Sequence, residues 1–375
     1  MKSLVIILLI LCTTPLAWGQ SQRVQGTVID EETGEPIIGA QIFYTGTTIG
    51  TISTENGVFY LPTPPSNTAE LSIQFLGYAS KTITIKKNRT YRDLVIELTP
   101  IVLELDEITV KPDTDTWLYN VSQFKQSFLG IGPFSKGTRI LNEEVLIFNF
   151  DADTRVLTAR ALDKLRIENK ELGYDIDFYL DHFEIDYANR TTIYLGRPFF
   201  KERNSKRSRT RKKWETNRET AYKGSFLQFT RAMMQDSLET CGFTVYGEQR
   251  EENATYVSKD PIDVSQVFGQ HDNESYYLSF INLLNVDYKY EKEDPRYLIY
   301  SNRMPSGSIK KRSLRNQNSS LALRGDSLFV DAYSGLVINP EIILFDGYWG
   351  FEKLSDMLPL DYKLSEFLDK KVCKE

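Results

Sequence analysis

The chain has 375 residues, 41% hydrophobic and 26% charged, a balance that excludes a disordered protein and leaves room for two domains. Its formal charge of −6 excludes the overall basic character of a nucleic-acid binder. Tyrosine and phenylalanine, 21 of each against 5 methionines, favour pleated strands, so a mainly β protein is expected.

The first residues read as an export signal. Lys2 is followed by an apolar run from Leu4 to Leu11, too short to span a bilayer. Ala17-Trp18-Gly19 then puts small residues three and one positions before a cut at Gln20. A signal peptide over 1–19 is expected, with the mature protein in the periplasm or at the outer-membrane periphery. A competing signal would acylate Cys12, but Ile10 and Leu11 stand where such signals want a small residue. Cleavage removes Lys2 and no acid, so the charge moves from −6 to −7. No later stretch is long and apolar enough for a membrane helix. Cys241 and Cys373 remain, either as a disulfide or as two free thiols.

Residues 22–100 have the rhythm of a β-sandwich: short alternating runs broken by turn residues. Val24, Gly26 and Val28 alternate, the turn Asp30 to Gly34 follows, and Gln41 to Tyr44 is a second run. Glu55-Asn56-Gly57 is a hairpin turn that tolerates positive φ. Leu71, Ile73 and Phe75 alternate, as do Leu94, Ile96 and Leu98. About seven strands fit this length.

Several stretches here carry a specific likeness: Val24 to Val28, Thr33-Gly34-Glu35-Pro36-Ile37-Ile38-Gly39-Ala40, Glu55-Asn56-Gly57-Val58-Phe59 and Phe75-Leu76-Gly77-Tyr78. The segment resembles the carboxypeptidase regulatory-like domain. That resemblance implies a transthyretin-like sandwich and a Bacteroidota protein, in which the module often precedes the plug of TonB-dependent receptors. Leu105 to Val110 is similar to the linker strand of those receptors, but no barrel-sized chain follows, so receptor function is not implied. Zinc carboxypeptidase chemistry is not implied either. His271-Asp272-Asn273-Glu274 has the spacing of two ligands, but the one other histidine, His182, lies upstream. No cofactor or metal is expected.

A linker over 101–116 leads to a larger α+β domain over 117–369, with an antiparallel sheet and one long amphipathic helix. Strands are expected between Arg139 and Leu195, where Tyr174, Ile176, Phe178 and Leu180 alternate, and again from Tyr276 to Phe345. Trp214, Ala221, Ser225, Phe229 and Met233 recur at helical spacing, which predicts a helix over about 210–236. A short helix is expected near Phe351 to Met357. Asn169 to Ile176, Trp214 to Arg218, Ala221 to Ser225 and Gly347-Tyr348-Trp349-Gly350 resemble a Bacteroidota extension found behind the module, and that likeness implies no established activity.

Chemistry-bearing patterns are few. Asp175, Asp177, Asp181, Glu184 and Asp186 crowd one strand, either as a solvated face or as paired acids for glycan chemistry. Asn149 to Asp153 opens like a calcium loop without its glycine and terminal glutamate, so a hairpin turn is expected. Gly132 to Thr138 lacks the lysine of a phosphate loop. The densest charge includes Lys206, Arg207, Arg209, Arg211, Lys212 and Lys213. It is either a solvated loop or a contact for anionic lipid, lipopolysaccharide or an acidic envelope protein. Tyr348 and Trp349 are the candidates for an aromatic ligand surface. Together these features suggest a non-catalytic envelope binding or scaffold protein whose sandwich meets a partner through a sheet edge. The alternatives are a carbohydrate- or peptidoglycan-binding protein and, behind it, a carboxylate-dependent glycan enzyme. No nucleic-acid partner is expected.

Overall fold

The computed structural model describes residues 23–101, 114–252, 254–301, 303 and 314–364. The leader, the linker strand and Cys373 lie outside the described residues.

The N-terminal unit is a seven-stranded sandwich: β1 (Arg23–Asp30), β2 (Gln41–Tyr44), β3 (Gly50–Ile52), β4 (Val58–Pro62), β5 (Thr68–Gln74), β6 (Lys81–Lys86) and β7 (Tyr91–Leu98). One sheet runs β4-β1-β7 and the other β3-β2-β5-β6. Val24, Val28, Ile42, Tyr44, Leu71 and Ile73 are among the inward side chains that fill the core between them. The expected turn forms at Thr54 to Gly57, whose N–H groups reach back across it, with Gly57 at φ +70°.

Helix α1 (Thr114–Phe128) starts inside the expected linker. Strands β8 (Thr138–Ile140), β9 (Leu146–Asp151), β10 (Val156–Ala161), β11 (Leu165–Asn169), β12 (Tyr174–Asp186) and β13 (Thr191–Glu202) make a six-stranded antiparallel sheet. Phe124 and Phe128 of α1 pack on its inner face against Phe178 and Phe183. The alternation read from the sequence holds for Tyr174, Ile176 and Phe178. It then changes phase to Phe183 and Ile185, because the pairing of β12 with β13 slips between Leu180 and His182. One extra residue at that bulge turns every later side chain over.

The single helix expected over 210–236 is two helices, α2 (Ser208–Tyr222) and α3 (Phe226–Met234). Gly224 ends the first with φ +75°, and Ser225 caps the second by accepting the Gln228 N–H. The break lets the two helices serve separate cores. Ala221 and Tyr222 join the core under the six-stranded sheet. Phe229, Ala232 and Met233 join a second core.

That second core lies under β14 (Phe243–Glu251), β15 (Ala254–Val257), β16 (Phe268–Gln270), β17 (Ser275–Leu278) and β18 (Leu283–Lys292). Helix α4 (Pro295–Tyr300), β19 (Asn316–Leu323), β20 (Leu328–Asp331), β21 (Ile343–Asp346) and α5 (Gly347–Phe351) follow. The strands form a five-stranded sheet, β15-β14-β18-β19-β21, and a three-stranded one, β16-β17-β20. The expected helix near 351–357 is α5 followed by a 3₁₀ turn at Leu354–Asp356. Leu354, Leu358 and Leu364 then carry the chain back to the first core. No helix among the described residues is long and apolar enough to cross a membrane.

Trp214 anchors α2. Its ring covers Gly173 so closely that a Cβ there would lie 2.4 Å from it, and its indole N–H donates to the Lys170 carbonyl at 2.9 Å. Removing the ring leaves a cavity and strands that carbonyl, so Trp214→Ala should cost about 3–5 kcal/mol in urea denaturation. A variant of wild-type stability would remove Trp214 from the core.

Candidate functional site

The sandwich docks on the larger domain of its own chain by the face of a sheet. Alternation along β2 sends Ile42 and Tyr44 into the sandwich core and Gln41 and Phe43 to the other side, yet all four are buried. The outer side is covered by β12 and β13. Phe43 packs on Tyr179 and Phe199, with ring centres 5.7 and 5.0 Å apart. Gly50 makes room for this: a Cβ would lie 2.5 Å from the Phe199 ring. The Gln41 side-chain oxygen accepts from the Tyr179 hydroxyl at 2.9 Å and from Lys164 at 3.0 Å.

The turn after β2 is held by main chain. The Gly46 N–H donates to the Pro198 carbonyl, the Phe200 N–H to Thr47, and the Leu360 N–H to Gly46. Asp361 accepts both the Thr48 N–H and its hydroxyl, at 3.0 and 2.5 Å. A second contact forms at the far end of the sandwich. Asp331 accepts the Asn67 N–H at 2.8 Å, Glu274 pairs with Lys86 at 3.2 Å and accepts from Asn88, and the Lys87 ammonium lies over the Tyr333 ring. Glu274, the acid of the His271-x-x-Glu274 pattern, is thus part of the dock, and His271 packs on Phe329. Among the described residues no three potential metal-ligating side chains gather.

The acids of β12 separate by role. Asp177 is buried in the dock and accepts from Lys164 and Lys201, both at 2.7 Å. Burial alone would raise its pKa, but the two ammonium groups outweigh it and hold the carboxyl below its ordinary value. Asp181 pairs with Arg197, and Asp186 accepts the N–H groups of Ala188 and Asn189 in its own turn. Asp175 is exposed. Asp151 likewise accepts the Asp153 and Thr154 N–H groups, which makes the 149–153 segment a hairpin turn.

Tyr348 and Trp349 do not form a ligand surface. Both are about 5% exposed. Trp349 packs on Phe226 and Phe229 and donates to the Gly224 carbonyl at 2.8 Å, while Tyr348 packs on Tyr297 and Phe351. Their aromatic character serves the seam between α3, α4 and β19.

The basic run stands at the start of α2. Lys206, Arg207, Arg209, Arg211 and Lys212 are exposed. Lys213 is also exposed but pairs with Glu171 at 2.6 Å, and Arg211 donates to the Ser205 carbonyl. The first turn of the helix holds no acid and its N-cap makes no side-chain bond. Positive charge here opposes the helix dipole. Beside it, Glu168 is ringed by Arg203 at 2.6 Å, Arg139 at 2.7 Å and Lys170 at 3.2 Å. Burial would raise the Glu168 carboxyl, but these three cations pull it to about 2.

Residues 24–110 match the CarboxypepD_reg-like domain. The regulatory-like domain is therefore the unit that docks. Among solved structures, the chain is 22% identical to part of a type II cohesin–X-dockerin complex from Acetivibrio cellulolyticus, with a TM-score of 0.17, over 21% of this chain and 55% of that one. The chain thus spans about half the length of that protein. It is 10% identical to a candidate membrane-associated protein of unknown function from Bacteroides fragilis, with a TM-score of 0.17, over 43% of this chain and 64% of that one. It is 9% identical to a candidate carbohydrate-binding protein from Bacteroides uniformis, with a TM-score of 0.19, over 84% of this chain and all of that one. Scores this low carry no functional argument. No curated protein matches the chain.

Among the described residues, clefts border the regulatory-like domain, of which three stand out. One of about 580 Å³ lies between Leu76, Ile101, Leu162 and Arg197. One of about 520 Å³ lies between Thr48, Arg218 and Asp361, with the partnerless hydroxyl of Tyr174 at its wall. The largest, about 770 Å³, lies between Ile49, Arg231, Tyr333 and Leu364.

A group of buried and half-buried acids lies outside the dock. Burial raises Glu291 to about 7, against the pull of Lys223 and Gln317, and raises Asp356 to about 6, against the Lys353 N–H, Ser355 and Arg296. Burial also raises Glu352, with Asp356 and Glu291 adding to the shift.

Two outcomes follow from this geometry. Gly50→Val should push Phe199 off Phe43, so that a protein melting in one calorimetric transition melts in two; a single unchanged transition would mean the dock tolerates the clash. The raised acids bind more protons in the folded state, so their stabilisation is full below the ordinary carboxylate range and lost as pH rises to about 7. Melting temperature should therefore be higher at about pH 5 than at about pH 7.5. Equal melting at both would show those carboxyls to be ionised in the fold.

Proposed function

We propose that this is a non-catalytic binding or scaffold protein of the cell envelope, facing the periplasm, whose basic helix start rests on an anionic lipid surface. The observation that carries the reading is the start of α2. Lys206, Arg207, Arg209 and Lys212 are exposed and hold no ion pair among the described residues. They sit where the helix dipole is already positive, an arrangement that disfavours the free state and favours a bound anion. Trp214 fixes the root of this segment on the six-stranded sheet, so the charges project from a rigid base. The surplus of cations around Glu168 extends the same sign of charge. Export, expected from the leader, brings such a surface to membranes and away from nucleic acid.

The engagement of Asp177 and Asp181 by lysine and arginine, and of Asp186 by its own turn, supports the non-catalytic reading. The carbohydrate alternative loses its aromatic shelf with the burial of Tyr348 and Trp349.

Flotation with phosphatidylcholine vesicles, with and without phosphatidylglycerol, tests the reading. Wild-type protein should float only with the anionic vesicles and should release at high salt. Replacing Arg207, Arg209 and Lys212 by glutamine should weaken binding roughly a hundredfold, at about 1 kcal/mol per charge, with an unchanged melting temperature. Equal flotation of the variant would leave the run a solvated loop.

A further inference from the structure

We infer that the cleft of about 580 Å³ at the rim of the dock takes the C-terminal end of an extended peptide whose last residue is aliphatic. Both units line it: Leu76 and Ile101 from the regulatory-like domain, Arg160, Leu162 and Leu180 from the larger one. The cleft begins where the dock stops. Gln41 and Gln74 are paired neighbours on β2 and β5, and both line it. The larger domain satisfies Gln41 through Tyr179 and Lys164. It does not satisfy Gln74, which is 6% exposed. The Gln74 side-chain oxygen accepts the Ser80 hydroxyl at 2.6 Å, but its amide nitrogen has no partner. A buried donor left unpaired is costly, and a ligand that brings an acceptor removes that cost.

The charges of the cleft leave a spare cation. Lys164 pairs with Asp177, and Arg197 with Asp181. Asp163 accepts the Lys164 N–H at 2.7 Å. Arg160 is exposed, and its guanidinium has no ion pair or hydrogen bond among the described residues. A buried amide donor and an unused guanidinium fork thus border one space. Their complement is a group rich in acceptor oxygens and negative in charge, which a carboxylate supplies.

The rest of the lining selects what carries that carboxylate. Leu76, Ile101 and Leu162 stand 73%, 47% and 46% exposed around the cleft. Single exposed leucines are ordinary, but three aliphatic side chains on one cleft are area that an aliphatic ligand group covers. The strands beneath supply the second criterion. β10 pairs with β12 only from Val156 to Thr158, and β11 takes over at Leu165 opposite Phe178. Residues 179–183 of β12 therefore have no ladder partner on the side away from β13, and Tyr179, Leu180 and Asp181 line the cleft. Main chain in such a gap suits the N–H and C=O groups of an extended peptide, which a fatty acid lacks. A peptide C-terminus meets all three features at once: carboxylate to Arg160 and Gln74, aliphatic side chain to the leucines, main chain to the gap.

Isothermal titration of the full chain with the tripeptide acetyl-Ala-Ala-Leu tests the site. The free acid should bind, and its C-terminal amide should bind about tenfold more weakly or worse, the loss expected for a hydrogen bond to a charged group. Arg160→Gln should abolish the preference for the acid without changing the melting temperature, because an exposed unpaired cation contributes little to folding. Gln74→Leu should weaken binding about tenfold while the protein melts no lower, since the change removes a buried donor that the free protein leaves unpaired. Absence of binding by the free acid would overturn the proposal, as would equal binding of acid and amide. Octanoate competing as well as the peptide would show a site for any aliphatic acid and overturn the assignment to peptide. Full binding by both variants would place the peptide elsewhere on the molecule.

Discussion

The rest of the architecture depends on the burial of β2 on both of its faces. A strand of a small sandwich has one face for its own core and one for solvent. Here the second face carries Phe43, a fully buried aromatic ring, flanked by Gln41. Neither can be left bare without cost, Phe43 because of its apolar area and Gln41 because its buried oxygen must find donors. Both needs are met by one surface, the outer side of β12 and β13. Lys164 links the two chemistries: its ammonium satisfies Gln41 and is itself balanced by Asp177. An ion pair of this kind adds little net stability over an apolar contact, but stranding one member is costly. It therefore fixes the orientation of the dock more than its strength.

For that surface to exist, β12 must serve two partners at once. Its even positions begin by facing α1 and its odd positions the sandwich, with Tyr174, Ile176 and Phe178 on one side and Asp177 and Tyr179 on the other. Thirteen residues of unbroken alternation would carry that pattern past the edge of the dock and send Phe183 and Ile185 outwards. The slip between Leu180 and His182 returns them to the core. The bulge therefore sits where the strand leaves the sandwich and needs only one buried face.

How much of this was legible follows from which signals are local. Turn chemistry is local, so Thr54 to Gly57 and the hairpin at Asp151 were readable from their residue types. The strand period was also readable up to Phe178, and was lost at a bulge that no residue type announces. The long helix failed for a related reason. Trp214, Ala221, Phe229 and Met233 keep helical spacing across Gly224, but that glycine turns left-handed so that the two halves can face different cores. Gly224 followed by Ser225, a good stop followed by a good cap, was the available sign. Tyr348 and Trp349 were misplaced because aromatic residues in a glycine-flanked turn suit a ligand shelf and a helix seam equally, and only the approach of Phe229 and Tyr297 decides between them. The dock left one trace in the sequence, Phe43 out of phase with Ile42 and Tyr44, and its other half lies more than a hundred residues away at Tyr179 and Phe199.

The same geometry constrains where anything else can bind. Since the β3-β2-β5-β6 face is spent on the dock, the regulatory-like domain keeps its other sheet, where Tyr60 of β4 and Val95 of β7 are exposed on either side of Gln25 and Thr27. The edges β6 and β7 also remain free of strand partners among the described residues. The basic start of α2 belongs to the other unit and is rooted through Trp214 on the loop between β11 and β12. That loop leads directly into the strand on which Phe43 packs, so the charged segment and the sandwich are both fixed to the first half of β12. A body bound at the basic segment is thereby held in a set orientation to the regulatory-like domain, without a flexible joint between them along β12.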